Sequence, residues 1–505
     1  MKLLRTISKS FIGRTIVMVS APSLRLFFVT LLYYVSLYFS TSNRTLILFT
    51  FLYWLIIYRI TKNLKLSLFA GLIATLLFPK GRAYQIMLLP KEDIERWAWF
   101  DISYFFPIYI ADIFLGLLGY LYLRGKQTAK QIQLSFQKNK SLWLFFLFIV
   151  WTILSGTFSI VPEIGLLSSL QLVRMMMLIA LPFLLFAKQK TQLRKIIFSV
   201  VVAVLLFEAG WVLVQRLAGG PLGKDIEVYL PGAQLGILSS ENRGLLRLAG
   251  TFFEPSILGT FLLMQMAILL PALLSKKRII NASKIITLLS IGLGSLALVF
   301  TGSRILYGIW LVGAFWSWKR WQQSNKKNKI RIPSKVMGVF AAILIIITIA
   351  LAPYLARRIE TLSDVFTQYG SATYRLRMMY YATRLSLDNP LFGVGINLSP
   401  YYLATEFKGE QLAFDPTYPH NLFFQLLAET GIVGLTLFLL FGFLTVKPFF
   451  LGLKTGIIKE YNLAAGIYLL CAMFYPIFLN HPELSSYFFL YVGLALFDQK
   501  TTNHV

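Results

Sequence analysis

Long apolar runs broken by short basic or polar segments dominate the chain. A bilayer core needs about 20 apolar residues per helix, with a working range of roughly 17–25. Runs of that kind lie near 24–40, 45–60, 64–78, 102–123, 141–160, 164–187, 196–217, 254–275, 280–300, 303–318, 336–353, 421–446, 461–479 and 484–497. Fourteen spans are expected, the third being the shortest. The pattern therefore predicts an all-α polytopic membrane protein. Two polar segments exceed ordinary connections, 218–253 and 354–420. The second contains helix-like stretches and a Gly-rich turn, and is far longer than a functionless loop tends to be.

Composition agrees with that pattern. Apolar residues make up 57% of the 505 positions and charged residues only 14%. A soluble domain carries roughly a quarter charged residues, so no polar shell is available for a soluble globule. The single cysteine, Cys471, lies in an apolar run, which excludes a disulfide framework and a Cys-based metal site. The N-terminus is basic but lacks an apolar core followed by a small-residue cleavage site, and is expected to be retained.

The net charge of +28 is a matter of topology. Basic clusters at 1–25, 59–65, 124–140, 188–195, 276–284, 319–335 and 447–459 all fall on one side of a fourteen-span arrangement. Short cytoplasmic loops are enriched in Lys and Arg, so both termini are expected in the cytoplasm. Attraction to anionic lipid headgroups suffices to explain the excess charge, and no nucleic-acid partner is needed. The expected organisation is an N-terminal transmembrane region (1–250), central spans (251–353), a large outer loop (354–420) and C-terminal spans (421–505).

Four groups of polar residues gather at the outer ends of the spans. They are Arg247 with Glu254 in RLAGTFFEPSILG, Ser303 with Arg304 in TGSRILYG, Arg375 with Arg377 in SATYRLRMMYY, and His420 with Asn421 in YPHNLFFQLLAETGIVG. Arginine grips phosphate through a planar fork of donors. The segments beginning near Ser303 and His420 are also helix N-termini, which favour anions. A histidine near its unperturbed pKa accepts or orients a proton from a sugar hydroxyl. Asn421, Gln425 and Glu429 would form one stripe running inward from His420. Taken singly, each arginine is explained by snorkelling to headgroups, and the stripe by helix packing. The convergence of several such groups on one face favours an anion site with a titratable neighbour. Within the spans, Asp112, Arg174, Glu208 and Arg216 are costly in lipid, and Arg174 and Glu208 are expected to pair.

The tract NPLFGVG, followed some twenty-five residues later by PHNLFFQLLAETGIVG and preceded by TGSR, resembles the signature of the O-antigen ligase and polymerase superfamily. The similarity covers about 250–445, most strongly beyond 300. The resemblance implies a membrane glycosyltransferase fold of the GT-C type. It implies an undecaprenyl-diphosphate-linked glycan as donor, a glycan acceptor, a chain-length regulator as a further partner, and metal-independent, cofactor-free transfer with inversion. Carried over by position, Arg304 and Arg375 would hold the donor diphosphate and His420 would activate the acceptor hydroxyl. Arg377 is the alternative to Arg375, because the RLR pair leaves the register open. Arg247, Glu254, Ser303 and Asn421 would line the substrate site. FFEPSILG resembles segments of exopolysaccharide and O-antigen polymerases, so a polymerase in the bacterial cytoplasmic membrane is the first expectation. A ligase acting on lipid A–core, a protein O-oligosaccharyltransferase and a lipid-linked oligosaccharide flippase are the alternatives. The absence of two related halves weighs against the flippase.

Overall fold

The computed structural model describes residues 22–37, 39, 42–77, 84–87, 105–124, 139–186, 189–223, 247–252, 254–274, 284–313, 356, 371–406, 418–455, 459–475 and 477–500. The described chain is an all-α polytopic membrane protein with one small hairpin. Its helices are α1 Pro22–Leu37, α2 Asn43–Thr61, α3 Leu64–Thr75, α4 Ile110–Arg124, α5 Lys140–Thr157, α6 Pro162–Leu185 and α7 Lys190–Ala218. They continue with α8 Pro255–Leu274, α9 Lys284–Phe300, α10 Arg304–Gly313, α11 Ser371–Asp388, α12 Ser399–Glu406, α13 Leu422–Thr455, α14 Glu460–Ala472 and α15 Pro482–Lys500. Strands β1 Tyr84–Met87 and β2 Phe105–Ile108 pair antiparallel.

Every expected span except 336–353 falls on one of these helices. That span, the basic cluster 319–335, most of 218–253 and, within 354–420, residues 354–355, 357–370 and 407–417 lie outside the described residues. Five helices are long and apolar enough to cross a membrane by length and composition. Their lipid side is legible in exposed apolar residues such as Phe51 (51% exposed) and Phe443 (61%). The fourth expected span begins later than its hydropathy suggests. Phe105–Ile108 is strand, and Asp112 accepts the Tyr109 N–H (2.8 Å), which sets the start of α4 at Ile110. The thirteenth is shorter than expected, because α14 stops at Ala472 and residues 473–475 and 477–481 are turns and bends.

Lipid offers no hydrogen bonds, so local capping and small residues decide how the helices meet. Ser42 and Thr45 form a reciprocal capping box at α2, and Asn63 caps α3 through the Leu66 N–H (3.1 Å). Helices α5 and α6 cross at Gly156 and Gly165, where an added Cβ would meet the facing backbone at 3.0 and 2.5 Å. Gly493 of α15 lies equally close to Ile179 of α6. Buried tyrosines spend their hydroxyls across the bundle: Tyr34 on Ala74 O (2.9 Å), Tyr487 on Ile73 O (2.9 Å) and Tyr491 on the Gln265 amide oxygen (2.6 Å).

The expected Arg174–Glu208 pair does not form. Arg174 Nε bonds Asp112 (2.9 Å) and its guanidinium lies over the Tyr109 ring (4.8 Å). Glu208 instead accepts the backbone N–H of Thr251 (3.1 Å), and Gln215 of the same helix brackets Gly250 through N–H and C=O (3.1 and 2.8 Å). Helix α4 supplies the partner of Arg174, and Glu208 faces the segment that leads into α8. Arg216 lies over the Phe300 ring (5.5 Å).

Two ends of the bundle are distinguishable. At one, Lys190 and Arg194 of α7 bind Asp498 of α15 (3.0 and 2.6 Å), and Arg194 also binds Glu460 of α14 (3.2 Å). At the other meet 155–159, 247–252 with 254, 300–303, 389–398, 418–421, 473–475 and 477–481.

Candidate functional site

At the polar end, two of the sequence motifs form a clasp. Helix α13 is broken at Gly431 (φ 66°, ψ −172°), and the NPLFGVG turn docks into the break. Val394 N–H bonds Ala428 O (2.9 Å), Gly395 N–H bonds Glu429 O (3.0 Å) and Ile432 N–H bonds Pro390 O (2.9 Å). Ser155 of α5 donates to Phe392 O (2.6 Å), and Trp151 donates to Thr430 O (2.9 Å) while stacking on Phe392. Gly393 has φ +68°, and its Cβ would fall 2.4 Å from the Glu429 carbonyl carbon. The glycines of this tract are there for a positive φ and close backbone approach.

The stripe below His420 belongs to the same scaffold. Glu429 is fully buried and accepts Ser399 Oγ (2.7 Å) and the Gln425 amide (3.3 Å). Asn421 caps α13 by accepting the Phe423 and Phe424 N–H groups (2.9 and 3.3 Å), and its amide donates to Met473 O (2.8 Å). Both ends of the Asn421 side chain are thus engaged in fixing this helix start.

Around that start the charged groups collect. Helix α11 carries Arg375 over the ring of Tyr475, with 5.5 Å from guanidinium carbon to centroid. The Tyr475 hydroxyl meets Ser303 Oγ at 2.6 Å, so Tyr475 joins α11 to the TGSR turn. Arg304, the first residue of α10, follows directly and is partly buried. Arg247 Nε donates to Thr301 O (3.0 Å), and Leu248 N–H bonds Phe300 O (2.9 Å), laying the 247–252 segment along the same turn. Glu254 stands before α8 and accepts Ser256 Oγ (2.8 Å).

His420 packs edge-on against Tyr374 (5.6 Å between centroids). Among the described residues, its buried Nδ1 has no hydrogen-bond partner. Burial pushes its pKa down to about 4; Glu254 opposes the fall and Arg375 adds to it. The ring is therefore neutral near pH 7 and retains a lone pair. Burial pushes the Glu254 carboxyl up, but His481, His420, the Ser256 hydroxyl and Arg247 together hold it below its ordinary value. Glu254 is therefore an anion beside two imidazoles and an arginine.

Arg247, Glu254, Ser303, Arg375 and His420 are brought into one cluster by these contacts, with Arg304 adjoining through Ser303. Arg377 lies on another face of α11. It follows Arg375 by two residues, about 200° around the helix, whereas Met379 on the Arg375 face reaches the Asn421 amide (Sδ 3.7 Å). Sequence reasoning missed Tyr475, His481 and Glu483. His481 Nδ1 lies 3.4 Å from Glu483 Oε1, and both are buried. The available signal was the polar NHPELSS interruption between the last two apolar runs.

The fold and this cluster define a polytopic membrane protein with a cationic, histidine-bearing centre at one end of its helices. Residues 288–439, which include Arg304, Arg375 and His420, match the family model described as O-Antigen ligase. A protein of Rickettsia conorii named as a polysaccharide ligase is 33% identical over 107 residues, covering 19% of this chain and 26% of the relative. One of Rickettsia typhi with the same description is 30% identical over 117 residues, covering 22% and 29%. The chain thus spans about a quarter of the length of the curated relatives it matches. These similarities place an O-antigen ligase-type segment in the half of the chain that carries the clasp and the cluster.

Proposed function

We propose that the protein joins a lipid-linked glycan to an acceptor sugar at the outer face of the bacterial cytoplasmic membrane, as a polysaccharide ligase. The observation that carries this reading is the clustering of Arg304, Arg375 and a half-buried, neutral His420 from the segment that resembles O-antigen ligases, with the Glu254 carboxylate, which precedes that segment, beside them. The polymerase favoured on sequence grounds uses the same chemistry with another acceptor. The names of the family model and the relatives favour the ligase.

Arg304 and Arg375 hold the diphosphate of an undecaprenyl-diphosphate-linked donor, with Arg247 and Ser303 lining the site and Arg377 outside it. His420 takes the proton of the acceptor hydroxyl through its lone pair. The hydroxyl oxygen bonds to the anomeric carbon from the face opposite the diphosphate. The bond from that carbon to the diphosphate oxygen breaks, and undecaprenyl diphosphate leaves with the electron pair. Fixed guanidinium groups stabilise the developing charge without reorganisation, so no divalent ion is required. Glu254 stabilises the imidazolium that forms. Anionic lipids surround the basic end, both termini face the cytoplasm, and a chain-length regulator is a partner only under the polymerase alternative.

Purified protein, given an undecaprenyl-diphosphate-linked glycan and lipid A–core, is expected to transfer the glycan to the core, with unchanged yield in EDTA. Elongation of the lipid-linked glycan without core would make it a polymerase. No new glycosidic bond with either acceptor would sink the enzyme reading and favour a flippase.

A further inference from the structure

The connection between α14 and α15 lies beyond the matched segment, yet it contacts the TGSR turn, Arg375 of α11 and Asn421 before α13. Its backbone is fixed from several sides. Phe474 N–H bonds Cys471 O (2.9 Å), Ile477 N–H bonds Tyr475 O (3.0 Å), Asn421 donates to Met473 O (2.8 Å) and the Tyr468 hydroxyl bonds Ile477 O. The Tyr475 side chain is 4% exposed, its hydroxyl is on Ser303 and its ring face is under Arg375.

We propose that Tyr475 is a positioning residue that orients Arg375 for an anionic ligand and ties it to the turn bearing Ser303 and Arg304. A flexible arginine side chain loses rotamer entropy when fixed. Holding it in advance leaves less to lose on binding. A carboxylate would also hold it, but would neutralise the charge and occupy the donor fork. An aromatic face attracts the cation through its quadrupole and leaves the in-plane N–H donors free. The ring is therefore the partner suited to an arginine that must still bind a phosphate-bearing ligand. The inference rests on the proposed function for the identity of that ligand, a polyprenyl diphosphate.

The test uses the full chain in lipid nanodiscs with undecaprenyl diphosphate as the probe. Tyr475→Phe keeps the ring and is expected to bind within about threefold of wild type. Tyr475→Leu removes the ring and is expected to bind about tenfold more weakly, in line with a desolvated cation–π contact. In an Arg375→Ala background the same leucine change should add less than about twofold. Equal losses in the Phe and Leu variants, wild-type binding by Leu, or independent multiplication of the Leu and Ala effects would overturn the proposal. Tyr475→Met replaces the leucine variant should that one fail to fold. Wild-type protein that does not bind undecaprenyl diphosphate would defeat the proposed function instead. The Tyr475–Arg375 cycle is then read in thermal unfolding, where coupling supports the positioning role and strict additivity overturns it.

Discussion

Replacing Gly431 by alanine strikes the joint on which the cluster is built. At φ 66° and ψ −172° the residue occupies a region essentially reserved for glycine, at a cost of about 1–3 kcal/mol for any other residue. Its Cβ would fall 2.1 Å from Leu391 O and 2.8 Å from Pro390 O, both backbone atoms of the docked turn. The turn cannot stay where it is, so the three clasp hydrogen bonds at Val394, Gly395 and Ile432 are strained or lost. At about 1 kcal/mol each, the combined penalty is about 4–6 kcal/mol. A penalty of about 4 kcal/mol shifts the closed clasp against the open one about a thousandfold. The turn carries the end of α11, so opening releases Arg375 from its register with Tyr475 and His420. The assay is limited trypsin cleavage near Arg384 together with glycan transfer. Gly431→Ala should be cut faster and transfer at least about a hundredfold less. Gly210→Ala, inside α7 with open space at its Cβ, should match wild type or gain slightly in stability. Equal behaviour of the two variants in both assays would refute the clasp as the support of the site.

Arg304→Ala, Arg375→Ala and His420→Ala should each reduce transfer at least about a hundredfold while inserting normally, whereas Arg377→Ala should keep most activity; comparable losses at 375 and 377 would remove the assignment of register. Transfer should hold from neutral pH down to about 5 and fall as His420 protonates near 4; Glu254→Gln removes the charge that raises this pKa, so the acid limb of its residual activity should move to lower pH, and a move upward would contradict the electrostatic arrangement. Asp112→Asn leaves Arg174 a buried cation without its carboxylate and should destabilise by about 3–5 kcal/mol; Arg174→Gln and Glu208→Gln should add independently in thermal unfolding, and coupling between them would restore the pairing expected from sequence.

The apolar runs determined the spans, because bilayer thickness sets helix length and a hydropathy pattern is a local property of the chain. The same locality made the motifs legible: the TGSR turn, the arginines of α11, His420 before α13 and the NPLFGVG turn all show as polar breaks at helix ends. Local pattern could not decide which helix stands beside which. Arg174 and Glu208 are neighbours in span order, yet α4 supplies the Arg174 carboxylate and the 250–251 segment takes up Glu208. Helix start positions also escaped it where strand pairing at Phe105–Ile108 competed with helix. Tyr475 has no sequence signature, being one tyrosine among twenty-five in an aromatic-rich chain. Its meaning comes from the connection between the last two helices, which brings the Tyr475 ring under Arg375 of α11 and its hydroxyl onto Ser303, so that a ring, a guanidinium and a hydroxyl more than 70 residues apart in sequence meet.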